Sequence, residues 1–494
     1  MRRFIRFLGR VVLGTLACAV AVVLVVLVIH GMQLYRLHRL KQTTTADYVF
    51  QSAPYFVLSN ARVIDGSGGP ALEAQNIVVR NGVITWTGPA AGMPPQPGAR
   101  IVDSAGTTII PGLVMMHEHL FTSAPGMSPQ LSQQSTAFPL LYLASGVTTA
   151  RTAGSVDPEA DLRIKQRIDD GTLAGPELFL TAPYLEGQPA LFPQMRALTG
   201  PEDAKQMVDK YSAEGFTSFK AYADITPEEL QAAIAEAHAR SARITGHLCS
   251  ITFTQAAQMG IDNLEHGLLV DTEFYSGKKP NQCPPIGPYL SEYRDKLDVT
   301  SPEVLGVMNL LISHHVALTS TLAVFEGEMT GALEPWYAEQ DKHALTWQSL
   351  LFSRMIERAS RAHHAGALMK KAEQFEHEFV ARGGTLLAGA DPTGDGSTLA
   401  GFADLREIEM LVDAGFTPPQ AIQIATQSGA NFLGIAGRAG TIAVGKQANL
   451  VVIAGNPAQN IADIRKVRAV YKRGIGYDSA KMVHAVDGVV GLSD

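Results

Sequence analysis

The stretch MMHEHL at residues 115–120 places two imidazoles one residue apart with a carboxylate between them. A zinc-protease helix needs histidines four residues apart, so that both lie on one helix face, but residue 121 is Phe. On a β-strand, alternate side chains share a face. His117 and His119 would then point the same way and could bind one ion such as zinc, while Glu118 points away. The alternative is a pair of ordinary surface histidines.

Four more side chains that can bind metals follow short apolar runs later in the chain: Lys220, His247, His266 and Asp391. Asp391 could complete a site with the first two histidines, although AGADPTG also suits a turn. His247 and His266 suit a second ion, and each alone also fits a hydrogen-bonded structural residue. A lysine ammonium repels a cation. Lys220 is therefore either an ion-paired lysine or a carbamate formed with carbon dioxide, whose two oxygens would bridge two ions.

The elements that must position these side chains alternate between strand-like apolar runs and helical stretches. The eight strand-like runs are 112–120, 146–153, 177–182, 218–223, 243–248, 263–267, 316–322 and 385–391. Between them, Thr226, Pro227 and Glu229 form a helix-capping signal. Eight strands alternating with helices predict an α/β fold with a (β/α)8 TIM barrel over 112–437, and an open doubly wound sheet is the alternative. All six candidate ligands lie at or near predicted strand ends, where the chemistry of a barrel gathers.

Short alternating strands flank this body on both sides. IVVRNGVITWTG predicts a hairpin that turns at Asn81-Gly82. The same pattern of short alternating strands returns in GTIAVGKQANLVVIAGNP near the carboxyl terminus. We therefore predict one small β-sandwich domain built from 54–111 and 438–480, followed by a tail over 481–494. Two unrelated β-segments are the alternative.

The amino terminus differs from the rest of the chain in charge and hydropathy. Its first 41 residues carry seven basic side chains and no acidic one, which leaves 33 basic against 47 acidic residues in the remainder. So acidic a body argues against a nucleic-acid partner. Residues 11–29 are uncharged and long enough to cross a bilayer. We predict a membrane anchor over 1–30 and a linker over 31–53.

An uncleaved anchor is favoured over a signal peptide because no small-x-small cleavage site follows the apolar run. The basic residues around the span slightly favour a body outside the cytoplasm, on the periplasmic face if the source is bacterial. The three cysteines, Cys18, Cys249 and Cys283, form no metal pattern and are expected to be unpaired thiols. A Cys249–Cys283 bridge is the alternative in an oxidising compartment.

Taken together, the motifs resemble those of the amidohydrolase superfamily, in its binuclear imidazolonepropionase-like and prolidase-like branch, over residues 55–478. They are PGLVMMHEHL, GVTTARTAG, SFKAYA, GHL, NLEHG, GAD and the run 415–457. The resemblance implies a buried metal on His117, His119 and Asp391. It also implies a more exposed metal on His247 and His266, with carboxylated Lys220 between the two divalent ions, expected to be Zn²⁺. The chain departs from the family pattern at Met116, Arg151-Thr152 and Asn449, none of which is an implied ligand.

The resemblance predicts hydrolysis of an amide C–N bond in a dipeptide, N-acyl amino acid or cyclic amide by a metal-bridged hydroxide, with Asp391 as the proton carrier. A lactone, ester or phosphotriester hydrolase is one alternative, and a non-catalytic membrane-anchored binding protein is another. Tyr222, on the same strand face as Lys220, is implied to hold a substrate carboxylate. Arg196 could clamp one bidentately or be a solvated loop residue. Association into a homo-oligomer is compatible with the fold.

The substrate pocket is expected from four loops at the strand ends: 183–197, 268–299, 323–337 and 392–402. Four aromatic residues of these loops could line an apolar pocket or simply pack within the loops: Phe192, Tyr275, Phe325 and Trp336.

Overall fold

The computed structural model describes residues 2–123, 130–330, 333–360, 366–392 and 398–493. Its strands, in chain order, are β1 (Val49–Gln51), β2 (Tyr55–Val63), β3 (Leu72–Arg80), β4 (Val83–Pro89), β5 (Arg100–Asp103), β6 (Thr107–Pro111), β7 (Leu113–Glu118), β8 (Phe121–Ser123), β9 (Leu131–Gln133), β10 (Val147–Thr152), β11 (Glu177–Phe179), β12 (Ser218–Ala221), β13 (Arg243–Gly246), β14 (Asn263–Glu265), β15 (Ala317–Ser320), β16 (Leu386–Ala388), β17 (Leu450–Ala454), β18 (Val467–Lys472) and β19 (Ile475–Asp478).

The helices, in chain order, are α1 (Arg2–Lys41), α2 (Ala137–Ala144), α3 (Pro158–Asp169), α4 (Pro201–Ala213), α5 (Pro227–Ala239), α6 (Phe253–Met259), α7 (Ile286–Lys296), α8 (Pro302–Ser313), α9 (Leu322–Thr330), α10 (Pro335–Ala344), α11 (Trp347–Ser360), α12 (Gly366–Ala381), α13 (Phe402–Asp413), α14 (Pro418–Gln423), α15 (Gly429–Phe432) and α16 (Ser479–Ala485). The predicted cap of α5 is present, because Thr226 and Glu229 form a capping box and Pro227 opens the helix.

Strands from the two ends of the chain share one nine-stranded sheet. Its order is β1-β19-β18-β17-β6-β2-β3-β4, and β5 pairs with β2. The hairpin between β3 and β4 turns at Asn81 and Gly82, whose φ angles are +49° and +78°. These left-handed values are what a two-residue hairpin turn requires. A buried apolar cluster that includes Phe56, Ile77 and Leu450 packs this sheet.

The central part of the chain is a mixed α/β body with two parallel sheets, β11-β10-β7 and β12-β13-β14-β15-β16. Their eight strands lie within the eight predicted runs, and each is shorter than its run. A parallel bridge between Thr181 and Ser218 joins the two sheets on one side. On the other side, the Asp391 N–H donates to the His117 carbonyl over 2.9 Å. The candidate ligands from both sheets are thereby brought to the same strand ends.

Residues 31–53, predicted to be a linker, contain regular structure over most of their length. Helix α1 continues to Lys41, and β1 pairs with β19 in the flanking sheet. The helix continues because Gln33, Leu37 and Leu40 are buried, at spacings that put them on one helix face. The predicted tail also has structure, since α16 packs against α2.

The expectation of three unpaired thiols is wrong for two of them. Cys249 and Cys283 form a disulfide across a sequence separation of 34 residues, with their Cα atoms 4.9 Å apart. Cys18 is free and exposed on α1. Sequence spacing could not reveal the pair, because the loop that follows β14 folds back over the end of β13. Lys278 in that loop donates to the Cys249 and Ser250 carbonyls, each over 2.7 Å.

Gly389 lies where β16 meets β7, and a Cβ atom there would come within 2.4 Å of His117 Cβ. We expect Gly389→Ala to destabilise the protein by roughly 1–3 kcal/mol, because this overpacking forces the two strands apart. Gly306→Ala is the matched control, since an added Cβ in α8 meets no atom within 4 Å. The control should raise stability by about 0.5–1 kcal/mol. Thermal unfolding of the metal-free protein measures both effects, and equal shifts would contradict the close approach of the strands.

Candidate metal centre

The carboxyl end of β7 and the segment that follows β16 bring three candidate ligands together. His119 Nε2 lies 3.1 Å from Asp391 Oδ1, and His117 Nε2 lies 3.6 Å from Asp391 Oδ2. The ligand atoms of these three residues all lie within 4.8 Å of one another, a group that could hold a metal ion. Glu118 is directed elsewhere, because its Oε1 accepts from the Ala390 N–H over 3.0 Å.

Strands β12, β13 and β14 supply the other three candidates. Lys220 Nζ lies 3.1 Å from His117 Nε2. His266 Nε2 lies 3.8 Å from Asp391 Oδ2, and the His247 ring centroid is 4.6 Å from that of His266. All six side chains therefore meet at one end of the parallel strands.

The backbone is unusual at two of these positions. His266 and Asp391 adopt left-handed conformations, with φ angles of +64° and +49°. Such conformations cost free energy in residues other than glycine and cluster at functional sites. Here they turn the side chain of His266, directly after β14, and that of Asp391, three residues after β16, into the centre.

Neighbouring groups fix the orientation of two imidazoles. His117 Nδ1 is 2.8 Å from Glu265 Oε2, and His266 Nδ1 is 2.7 Å from Thr321 Oγ1. With each Nδ1 engaged, Nε2 is the nitrogen left to bind an ion, which is the usual arrangement for metal-bound histidine. Within the described part of the chain, His266 Nε2 and His119 Nδ1 are buried and have no hydrogen-bond partner. Unpartnered buried imidazole nitrogens beside a carboxylate are a donor set that suits a divalent metal.

Glu265 and its partners are the part of the centre that we did not identify from sequence. Its Oε1 accepts from Arg151 Nη2 and from Thr245 Oγ1, both over 2.5 Å. Arg151 also donates to the Met116 carbonyl over 2.7 Å. Burial opposes ionisation, but Arg151 and His117 together hold the pKa of Glu265 well below its ordinary value. The sequence did contain a signal for Glu265, because NLEHG places an acidic residue within a buried strand. A buried charge needs a partner, so a pairing residue could have been expected.

The protonation states in the absence of metal favour ligand chemistry. Burial lowers the pKa of His119 to about 4 and that of His247 to about 3, so both rings are neutral near pH 7. Burial also lowers the pKa of Lys220 to about 8. For Asp391, burial opposes ionisation, but the neighbouring histidines, His117 foremost, hold its pKa well below the ordinary value.

The two residues expected to bind substrate differ in position. The Tyr222 ring lies beside the centre, 4.8 Å from the His247 ring and 4.9 Å from that of Tyr184. Arg196 is more than half exposed, and its guanidinium pairs bidentately with Asp203 over 2.7 and 2.9 Å. Its fork is therefore occupied within the chain, as in the solvated-loop alternative.

Of the four loop aromatics, Phe325 contacts the centre, with its ring 5.7 Å from that of His266. Phe192 packs near Tyr184 and Tyr222. Tyr275 and Trp336 instead contact other aromatic residues, Tyr289 and Phe402 respectively. In the predicted pocket loops, residues 331–332 and 393–397 lie outside the described residues.

The sequence model of the amidohydrolase family matches residues 108–475 of the chain. Among solved structures, the chain is similar to a Xaa-Pro dipeptidase with bound methionine in its active site. That similarity has a TM-score of 0.65 at 20% identity and covers 86% of this chain and 100% of the other. A prolidase complexed with N-methylphosphonate-L-proline gives a TM-score of 0.63 at 20% identity, over 86% of this chain and 99% of the other. At such identities the structures show a shared fold alone.

Two curated relatives match shorter segments. N-acyl-D-aspartate deacylase of Alcaligenes xylosoxydans xylosoxydans is 32% identical over 142 residues, which is 28% of this chain and 25% of that protein. Enamidase of Eubacterium barkeri is 35% identical over 121 residues, which is 24% of this chain and 29% of that protein. The chain thus spans between a quarter and three tenths of the length of these relatives.

Glu265→Gln is expected to lower metal affinity by about 10–100-fold, because His117 loses the carboxylate that orients it. Glu376→Gln is the matched control. Glu376 is also a buried glutamate, and its Oε2 accepts from the Ser320 hydroxyl over 2.7 Å rather than from a candidate ligand. Competition with a chromophoric chelator measures both affinities. Equal affinities in the two variants would contradict the orienting role of Glu265.

Proposed function

The chain belongs to the amidohydrolase family, and on that premise we propose that it hydrolyses an amide C–N bond in a small substrate. The observation that carries the proposal is the meeting of His117, His119 and Asp391 at one point, with Lys220 and His266 beside them. The names of the relatives support a carbon–nitrogen bond over an ester or lactone, since they include a deacylase, an enamidase and a Xaa-Pro dipeptidase.

His117, His119 and Asp391 would hold one divalent ion, and His247 and His266 a second. Imidazole nitrogens with carboxylate oxygen are ligands that Zn²⁺ accepts readily. The unpartnered His266 Nε2 and the engaged Nδ1 atoms of His117 and His266 support this assignment. When bound, such ions would activate a water molecule and polarise the substrate carbonyl.

Asp391 would move the proton of the reaction. As water attacks the amide carbon, a C–O bond forms and Asp391 accepts the proton that the water releases. Asp391 then passes this proton to the nitrogen as the C–N bond breaks, which gives an acid and an amine. Its low pKa fits the starting state, in which the carboxylate must be free to accept.

Lys220 would serve as a carbamate. Its Nζ lies 3.1 Å from the ligand nitrogen of His117, where an ammonium would oppose a metal cation. Addition of the neutral amine to carbon dioxide forms an N–C bond and releases one proton. The product carries two oxygens and a negative charge, and could bridge both ions.

Tyr222 would contact the substrate, because its ring stands between His247 and Tyr184 at the edge of the centre. A dipeptide or N-acyl amino acid carries a free carboxylate, which the phenol hydroxyl could bind as a hydrogen-bond donor. A cyclic amide remains compatible with the same centre.

We also infer the architecture around the centre. The eight parallel strands β7 and β10 to β16 would close into one (β/α)8 barrel over 112–437. The Thr181–Ser218 bridge and the Asp391–His117 hydrogen bond, which span the two gaps between the sheets, support this closure. The shared flanking sheet supports a composite β-domain over 54–111 and 438–480.

The apolar part of α1 would anchor the chain in a membrane with its body outside the cytoplasm. The helix is long and apolar enough to cross a bilayer, although a signal sequence passes the same test. The Cys249–Cys283 disulfide supports an oxidising compartment, because structural disulfides persist there and are rare in the cytosol.

The activity is tested with metal-loaded protein on a panel of dipeptides, N-acyl amino acids, cyclic amides, esters and lactones. On the best amide, we expect Asp391→Asn to lower kcat by about 10²–10⁴-fold, the usual contribution of a general acid–base group, with a smaller change in KM. Metal content is measured on the same sample. Wild-type kcat in this variant would refute the role of Asp391, and cleavage of esters without amides would refute the proposed reaction.

Lys220→Ala should reduce the metal bound per chain, with partial recovery when a short carboxylate such as acetate is added. Lys472→Ala is the matched control, because burial also lowers the pKa of Lys472 to about 8 but its Nζ donates to the Gly175 carbonyl. Elemental analysis measures metal content in both variants. Full occupancy by two ions in Lys220→Ala without added acid would exclude a bridging carbamate.

A further inference from the structure

The fully buried positions of helix α11 are polar, whereas two large apolar residues of the helix are exposed. Its buried positions are Ser349, Ser353 and Glu357, which recur every fourth residue. Leu351 and Met355 on another face are 56% and 57% exposed. A surface helix of a water-soluble protein shows the opposite arrangement. Exposed apolar faces of this kind mark contact with a protein or a membrane.

The position of α11 along the axis of α1 indicates whether this face contacts a protein or a membrane. The body covers one stripe of α1, in which Leu40, Leu37 and Gln33 are buried. The stripe continues toward the amino terminus, because Ile29 and Val26 are still half-buried. The body therefore lies alongside α1 down to the last turns of its apolar run.

The dimensions of a bilayer place that level at the membrane surface. The run 11–29 is about 28 Å long as a helix, close to the roughly 30 Å of a hydrocarbon core. If the run spans the bilayer, Val26 and Ile29 lie within the outer edge of the apolar layer. Whatever covers them must then enter the same layer.

A contact between side chains identifies α11 as an element at this level. His30 of α1 lies 3.4 Å from Gln348 of α11, measured from Nδ1 to Nε2. Leu351 follows Gln348 by one helical turn, and Met355 follows Leu351 by another. Exposed Arg358 comes next along that face and could meet lipid phosphates.

We propose that the outer face of α11, comprising Leu351, Met355 and Arg358, rests in the interfacial layer of the bilayer. This proposal depends on the membrane anchoring proposed above. An interfacial helix of this type buries its apolar side chains at the boundary between headgroups and acyl chains. Helix α11 also packs against α9, whose Phe325 ring contacts His266. The bilayer contact is therefore separated from the metal centre by one helix.

The test uses the full-length chain reconstituted in lipid nanodiscs, with Cys18→Ala as background so that one added thiol can be labelled. An environment-sensitive fluorophore is attached at Met355→Cys, and the nanodiscs contain lipids with a nitroxide quencher near the headgroup end of the acyl chain. Val444→Cys is the matched control, since Val444 is 61% exposed outside this surface. Val20→Cys, on the apolar part of α1, reports on the anchor with a quencher placed deeper in the bilayer.

We expect the label at residue 355 to lose most of its emission in quencher lipids and the label at residue 444 to lose little. Equal quenching at both positions, with residue 20 quenched, would overturn the surface and leave the anchor standing. Absence of quenching at residue 20 would overturn both. A change in the emission at residue 355 that depends on the number of protein copies per nanodisc, and not on the quencher, would assign the face to a second copy. That outcome would overturn the lipid contact. The readout does not depend on catalysis, so loss of the proposed hydrolase activity would leave it unaffected.

Discussion

The hydrogen bond from the Asp391 N–H to the His117 carbonyl joins the last parallel strand to the first. Because of it, the carboxylate that follows β16 lies beside the imidazoles that end β7. This contact brings together two candidate ligands, His117 and Asp391, that are 274 positions apart in the sequence. The close approach needs Gly389, since any side chain there would collide with His117. The chemistry of the centre thus depends on a backbone arrangement that no single segment determines.

Burial of so many ionisable groups at one point needs compensation. An isolated buried charge is strongly unfavourable, and removing one partner of a buried pair costs several kcal/mol. Glu265 is balanced by Arg151, and its other oxygen orients His117. The candidate ligands His119 and His247 avoid the same cost, because burial lowers their pKa values and keeps both rings neutral. The candidate centre is therefore already arranged without an ion, because the side chains that surround its candidate ligands are paired with each other.

The strands could be predicted from the sequence because apolar runs of fitting length alternate with capped helices, a local signal. The meeting of candidate ligands could be predicted because parallel strands end at one edge. Glu265, Arg151 and the Cys249–Cys283 disulfide could not be assigned, since each depends on which distant strand or loop lies alongside. The structure within the predicted linker depends on distant residues in the same way, because Leu37 and Leu40 are buried in the main apolar cluster. Arg196 shows the limit of residue type alone, because its nearest carboxylate is Asp203 within the same region.

The same distinction explains α11. Its sequence reads as an ordinary amphipathic helix until the structure shows which face is turned inward. Ser349 and Ser353 are small enough to pack closely against the body, and Glu357 is paired with Arg354 on its own helix. Leu351 and Met355 are then left on the outside. In water each side chain forgoes part of the roughly 1.5–3 kcal/mol that its full burial would contribute. On the proposed membrane anchoring, a bilayer would remove that cost, because α1 lies within hydrogen-bonding distance of α11 at the level where the bilayer would end. On the proposed membrane anchoring, the inverted helix and the apolar run of α1 would be two consequences of one constraint, a body held against a membrane.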